Sequence, residues 1–339
     1  MTERKLASVR RIADIVAIPD ADAIECAVVG GWNVVIKKGE FKVGDLAVYF
    51  EIDSWIPKEL APFLFEGKVY EGVEGALLRT KKLRGVISQG LLLPLSVAFE
   101  LPATTGVDIE GTDLTEQLGI KKWEKPLDPS LSGLARGNFP SFIPKTDQER
   151  VQNLGRTIEQ IQGESFERTL KLDGSSITIY SVKEDGEYRD GVCSRNLDLQ
   201  EGESAFWVIA KQENIHEKIR STGRQLAFQG EMLNTNIQSN WEKVTGLCMF
   251  VYDVYDIDKR EYLLPADRRA LCTELGIPHV PVDDENYILH DDVKSLIEKA
   301  DGPGMNPGVK REGFVYKSNT RDFSFKTISN SYLLKNKDA

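Results

Sequence analysis

The chain has 339 residues, 41% of them apolar and 28% charged, with a formal net charge of −10; that is the make-up of a globular protein long enough for two domains. No apolar run reaches the roughly 20 residues of a membrane span, Met1 to Lys5 lead into no signal-peptide core, and Cys26, Cys193, Cys248 and Cys272 form no Cys-x-x-Cys pair, so a membrane protein, a zinc site and a disulfide framework are not expected and an intracellular setting is. Three histidines (His216, His279, His290) are too few for a histidine metal site or a Ser-His-Asp triad, and the negative charge means that any nucleic-acid binding must come from local basic patches.

Residues 1–120 are expected to form the first domain, β-rich over about 6–100. Ala27 to Val29, Trp32 to Ile36, Leu46 to Phe50, Ala76 to Thr80 and Gly90 to Pro94 are short apolar runs rich in β-branched and aromatic residues. Gly30-Gly31, Lys38-Gly39-Glu40 and Val43-Gly44-Asp45 punctuate them as turns. Many short strands in so few residues predict a small barrel, most economically an OB-like one that binds nucleic acid. The basic patches open to this role are Arg4, Lys5, Arg10 and Arg11; Lys81, Lys82 and Arg84; and Lys121 and Lys122. Residues 121–145 read as linker, through Pro126, Pro129, Gly133, Gly137, Pro140 and Pro144. Thr146-Asp147-Gln148-Glu149 has the form of a capping box and predicts a helix to about Gln162. Beyond it, strands interrupted by helices near 204–220, 266–275 and 291–300 predict an α+β domain over 146–339, with antiparallel sheets and flanking helices.

The chemistry concentrates in this second domain. From Phe166 to Leu172 polar and apolar residues roughly alternate, so Glu167, Thr169, Lys171 and Asp173 should share a face of one strand. Gly174 then permits a tight turn or the close approach of a phosphate. A lysine and a carboxylate so placed suit covalent catalysis on a nucleotide, the amine attacking an α-phosphorus and the carboxylate helping to hold a metal. An ordinary lysine has a pKa of about 10.4, so the site must favour the neutral amine; Asp173 alone would do the opposite, which makes a metal necessary on physical grounds.

Further motifs follow in order: Ser194-Arg195-Asn196, Phe228-Gln229-Gly230-Glu231, Phe250-Val251-Tyr252-Asp253, Glu312 to Lys317, and Ser324-Phe325-Lys326. This ordered set resembles the nucleotidyltransferase motifs of the covalent lysyl-nucleotide superfamily, which comprises polynucleotide ligases and mRNA capping enzymes. The stretches Phe139 to Asp147, Arg84 to Gly90 and Ser324 to Asn330 are similar to the Deinococcus-type RNA ligase family, whose barrel also precedes the ligase (ATP-grasp-like) domain. Only Thr327 to Ala339 follow Lys326, too little for the C-terminal barrel of capping enzymes and most DNA ligases.

The resemblance implies roles residue by residue. Lys171 becomes the lysyl-AMP. Lys326 contacts the α-phosphate, standing alone because Ser324 occupies the place of a second lysine found in many relatives. Glu312, Asp173 and Glu231 lie by a magnesium or manganese ion, through water, with Glu231 alternatively on the nucleoside sugar. Arg195 faces ribose or phosphate, and Tyr252 or Phe250 stacks on adenine. The implied protein is a monomeric ATP-dependent RNA ligase that seals 3′-OH/5′-phosphate nicks with RNA on the 3′-OH side, in RNA repair. A GTP-dependent capping guanylyltransferase and a non-catalytic OB-type binding protein are the alternatives. No extra domain or four-cysteine site supports NAD as the nucleotide, and no residue accounts for the exclusion of GTP.

Overall fold

The computed structural model describes residues 4–98, 109–124, 133–237 and 240–335. The chain divides into two compact units, one comprising Met1–Lys125, Val151–Arg156 and Leu333–Ala339, the other Pro126–Arg150 and Thr157–Tyr332. Pro126 and Pro129 of the expected linker lie outside the described residues.

In the first unit, alternation along Trp32–Lys37 buries Trp32, Val34 and Ile36 and leaves the residues between them more exposed, as a strand with one core face must. It is the edge of a five-stranded antiparallel sheet ordered Leu91–Pro94, Leu46–Phe50, Ala7–Ala17, Ile24–Val29, Trp32–Lys37. The long strand Ala7–Ala17 serves two partners: Ala7 to Arg11 pair with Leu46–Phe50, and Ile12 onward pairs with Ile24–Val29 after a register shift between Ile12 and Asp14. Such a bulge bends the strand and curls the sheet. Arg10, Arg11 and Asp14 interrupt its apolar pattern, which hid this strand from the sequence reading.

A second sheet orders Lys121–Lys122, Ser54–Pro57, Val73–Leu77 and Lys68–Tyr70. Lys121–Lys122, expected as the start of the linker, is therefore an edge strand paired with Trp55 and Ser54. Val9, Val48, Phe50, Ile56, Leu93 and Leu114 form the shared core. Lys81–Leu83 and Val86–Ser88 make a separate hairpin, turning through Arg84 (φ 48°) and Gly85 (φ 85°), the two left-handed residues that a tight hairpin turn requires.

The predicted capping-box helix does not form. Glu149–Arg150 pairs in parallel with Phe325 and Lys326, and Val151–Asn153 is a single 3₁₀ turn. The helix is confined to Gly155–Gln160. Tertiary partners override the local signal here. Gln152 and Asn153 belong to the first unit, where Gly31 N–H donates to the Gln152 carbonyl at 3.1 Å and Trp32 Nε1 to Asn153 Oδ1 at 2.8 Å.

The second unit has two sheets. A seven-stranded antiparallel sheet runs Ala135–Asn138, Leu197–Leu199, Glu187–Cys193, Ser175–Glu184, Leu226–Leu233, Cys248–Asp256, Glu261–Tyr262. One face packs through Ile177, Ile179, Phe228, Val251 and Val254 on the helices Ala205–Gln212, Ile215–Ser221 and Pro265–Glu274. The predicted single helix near 204–220 is two, broken at Asn214 with φ 50°. A five-stranded sheet runs Glu149–Arg150, Ser324–Ile328, Gly313–Ser318, Ser165–Lys171, Val282–Ile288, antiparallel except for its first pair. Phe166, Phe314, Tyr316 and Phe325 cluster on one face of it.

The opposite face carries a buried ionic network. Glu167 is paired with both Arg268 and Arg269, and Arg268 also lies 3.5 Å from Asp253 and donates to His279 Nε2 at 3.0 Å. His279 Nδ1 donates to the Val280 carbonyl, and burial together with Arg268 pushes the ring down to about 3, so it stays neutral and structural. Replacing Arg268 with alanine leaves Glu167 with one partner in a dry site. The expected cost is about 3–5 kcal/mol, read from the urea-denaturation midpoint; an unchanged midpoint contradicts the placement.

Candidate active site

Lys171-Leu172-Asp173-Gly174 is the crossover between the two sheets. Lys171 ends the strand Ser165–Lys171 of the five-stranded sheet, and Ser175–Glu184, a central strand of the seven-stranded sheet, begins immediately after Gly174. The glycine is required by packing: a Cβ there would sit 2.4 Å from the Met232 carbonyl oxygen.

Register explains what converges on the lysine. Lys171 lies opposite Gly313, and Thr169, Val315, Lys326 and Arg150 form one cross-strand row. Glu167, Thr169 and Lys171 share a face as expected, and that same face carries Lys326 and Arg150. Glu312 stands one residue before its strand and escapes the alternation. Phe314 and Tyr316, which strict alternation from Glu312 would put on its face, lie in the aromatic cluster on the opposite side. Its carboxylate meets Lys171 Nζ at 2.8 Å and 2.9 Å and is largely buried.

Asp173 lies just past the strand end. Glu231 belongs to Leu226–Leu233 and accepts from the Gly174 N–H at 2.9 Å. Burial pushes the lysine down, but Glu312, Glu231 and Asp173 outweigh it and hold the ammonium above its ordinary value. Glu231 in turn is pushed up to about 8 by burial, with Lys171 opposing and Glu312 and Asp173 adding to the rise. Glu242 is a further carboxylate, in a loop with no periodic pattern to mark it. It is 1% exposed and faces the backbone N–H groups of Met305 and Asp173. Burial, then Glu312 and Asp173, push it up to about 7.

This excess of buried negative charge fits a divalent cation. Among the described residues, no three of the His, Cys, Asp and Glu side chains sit close enough to hold an ion directly. The arrangement therefore suits an ion that keeps its waters, as magnesium does.

Beside the carboxylates, on the face of the seven-stranded sheet turned away from its helices, is an open pocket lined by Phe139, Thr146, Ser176, Thr178, Arg195 and Gln229, among others. The Tyr252 hydroxyl lies 3.0 Å from the Thr146 hydroxyl and 3.3 Å from that of Ser176. Thr146 is thus tied to Tyr252 rather than capping a helix. Phe250 packs with Leu172, Leu233 and Val280. Arg195 Nη2 pairs with Asp147 at 2.8 Å and 2.9 Å in the open part of the site.

Sequence reasoning missed Arg150, Glu242 and Gln229. No local pattern places Arg150 beside Lys326, and Gln229 stands within the Phe228 to Glu231 motif with no signal of its own.

Comparison with known proteins supplies the context. An OB-fold domain model matches residues 6–95 and an RNA ligase model matches residues 164–328. No curated protein matches the chain. Among solved structures, a lysine-to-methionine variant of Naegleria gruberi RNA ligase with AMP and Mn is 47% identical, with 99% of this chain and 100% of that chain covered and a TM-score of 0.92. A lysine-to-alanine variant with ATP and Mn is 46% identical over 99% and 100% of the two chains, TM-score 0.91. The same ligase with PPi gives the same identity, coverage and TM-score.

Proposed function

Because this chain belongs to the RNA ligase family, we propose that it is an ATP-dependent enzyme that seals 3′-OH/5′-phosphate nicks in duplexes with RNA on the 3′-OH side, as a monomer, in RNA repair. The observation that carries this reading is Lys171 Nζ at 2.8 Å from Glu312, within a ring of carboxylates and beside an open pocket. A bound magnesium or manganese ion, held through water by Asp173, Glu231 and Glu312, supplies charge neutralisation for the phosphates and offsets the carboxylates' pull on the lysine. The lysine must lose a proton to attack, and Glu312 is the acceptor at hydrogen-bond distance. Lys171 forms its bond to the α-phosphorus as the bond to pyrophosphate breaks. Lys326, on the same sheet face, neutralises charge developing on the α-phosphate, and Tyr252 forms a wall for the nucleoside. AMP then passes to the 5′-phosphate, and a 3′-OH displaces it.

Incubation with α-labelled ATP or GTP plus metal tests the reading. A covalent label from ATP alone supports it, a label from GTP alone points to a capping enzyme, and no label leaves a binding module.

Of the three basic patches, one has none of its members in an ion pair among the described residues; in the first, Lys5 and Arg10 also lack one but donate to the Gly111 carbonyl and the Ser8 hydroxyl. Arg4 is consumed by Glu51 and Asp53, Arg11 by Glu110, Lys121 by Glu71 and Lys122 by Glu124. Lys81 and Lys82 are exposed on the hairpin with Arg84 at its turn, and none of the three has an ion pair among the described residues. These we assign to phosphate contacts. Replacing all three with glutamine should lower single-turnover sealing of a nick more than adenylation and reduce the salt-dependence slope by up to about three. Equal losses in both steps would mean that the hairpin supports the catalytic unit instead.

A further inference from the structure

We propose that Gln229 selects the base of the nucleotide by accepting a hydrogen bond from the exocyclic amine of adenine. This rests on the reading of Lys171 as the site of adenylation and goes beyond it, since nothing in the motifs accounts for the exclusion of GTP. Gln229 lies on Leu226–Leu233 two residues before Glu231, so both side chains emerge on the same face, and it lines the pocket that Thr146, Ser176 and Arg195 share. It is 1% exposed.

The amide has only one possible orientation. Nε2 lies 2.9 Å from the Pro144 carbonyl oxygen, which can only accept, so the NH₂ group must face it. Oε1 is thereby fixed as the atom left over, and it is buried with no hydrogen-bond partner. A lone buried acceptor penalises the empty pocket and rewards a ligand that brings a donor. Adenine brings one in its N6 amine. Guanine presents an oxygen at the equivalent ring position, and two acceptors facing each other repel. A rotated amide cannot rescue guanine, because Gln229 would surrender its bond to Pro144 and set carbonyl-type oxygens against each other there. The device is a donor–acceptor polarity locked by the main chain rather than a steric filter.

The test compares the rate of Lys171 labelling with ATP, purine riboside triphosphate (no exocyclic group) and inosine triphosphate (an oxygen in place of the amine). The wild-type protein should favour ATP over purine riboside triphosphate in kcat/KM by about 10- to 100-fold, the usual effect of leaving a buried acceptor unpaired. Inosine triphosphate should be poorer still. In Gln229→Met, which keeps the length but has no amide, the three rates should converge to within a few-fold. Ratios between nucleotides within one variant are independent of the fraction of protein folded, and the Pro144 carbonyl retains the Tyr262 hydroxyl at 3.4 Å. If Gln229→Met proves insoluble, the wild-type ranking alone decides: equal use of ATP and purine riboside triphosphate overturns the proposal. So does a Gln229→Met protein that keeps the wild-type ratios, since the amine is then read elsewhere. Absence of label from every nucleotide in the wild-type protein is a different result and removes the adenylation reading itself.

Discussion

Replacing Lys171 with methionine is expected to abolish the covalent adduct with labelled ATP while leaving the fold intact. The lysine ends its strand with its amine bound to Glu312 and its stem against the crossover between the two sheets. Methionine keeps that stem and removes only the nucleophile. Loss of the buried ammonium leaves Glu312, Glu231 and Asp173 with less countercharge, and Glu231, already pushed up to about 8, stays protonated more readily, which limits the repulsion among them. Circular dichroism and the urea midpoint should therefore change little while labelling falls to background. A nicked substrate carrying a pre-formed 5′-adenylate bypasses the lysine and should still be sealed. Retained labelling of the variant would move the nucleophile elsewhere; loss of both labelling and sealing would make Lys171 a structural residue.

Lys326→Ala should lower the adenylation rate by about 10²- to 10³-fold at saturating ATP, the effect of removing one pre-aligned charge from a developing oxyanion. No second lysine can substitute within that strand. Ser324, two residues earlier on the same face, stands opposite Lys317, whose ammonium is buried and paired with Asp253. A lysine at 324 would meet that charge. Glu312→Ala should act differently, shifting the metal concentration needed for half-maximal labelling upward and raising the dependence on pH, since the proton acceptor at 2.9 Å is gone. Near-normal labelling by Lys326→Ala, or a metal response of Glu312→Ala identical to wild type, would contradict these assignments.

Local pattern decided what local physics controls. The alternation that places Glu167, Thr169 and Lys171 on one face follows from strand geometry alone, and so does the inward set Trp32, Val34 and Ile36. The order of the motifs was enough to identify the nucleotide chemistry, and the fold brings Lys171, Glu312 and Glu231 together. Long-range partners decided the rest. The capping box at Thr146 lost to Tyr252, because a hydrogen bond to a distant strand took up the hydroxyl that a helix start would have used. Arg150 reached Lys326 only through a parallel pairing of segments more than 170 residues apart, and no period in the sequence encodes such a register. Basic residues that look alike in the sequence separated in the same way: Arg4 is neutralised by Glu51 and Asp53, whereas Lys81 and Lys82 stand out on a hairpin. Glu242 and Gln229 carry their meaning in what surrounds them. A carboxylate or an amide is unremarked in a sequence, and it becomes informative when folding removes water from its oxygens, as at Glu242, or leaves one with no donor, as at Gln229 Oε1.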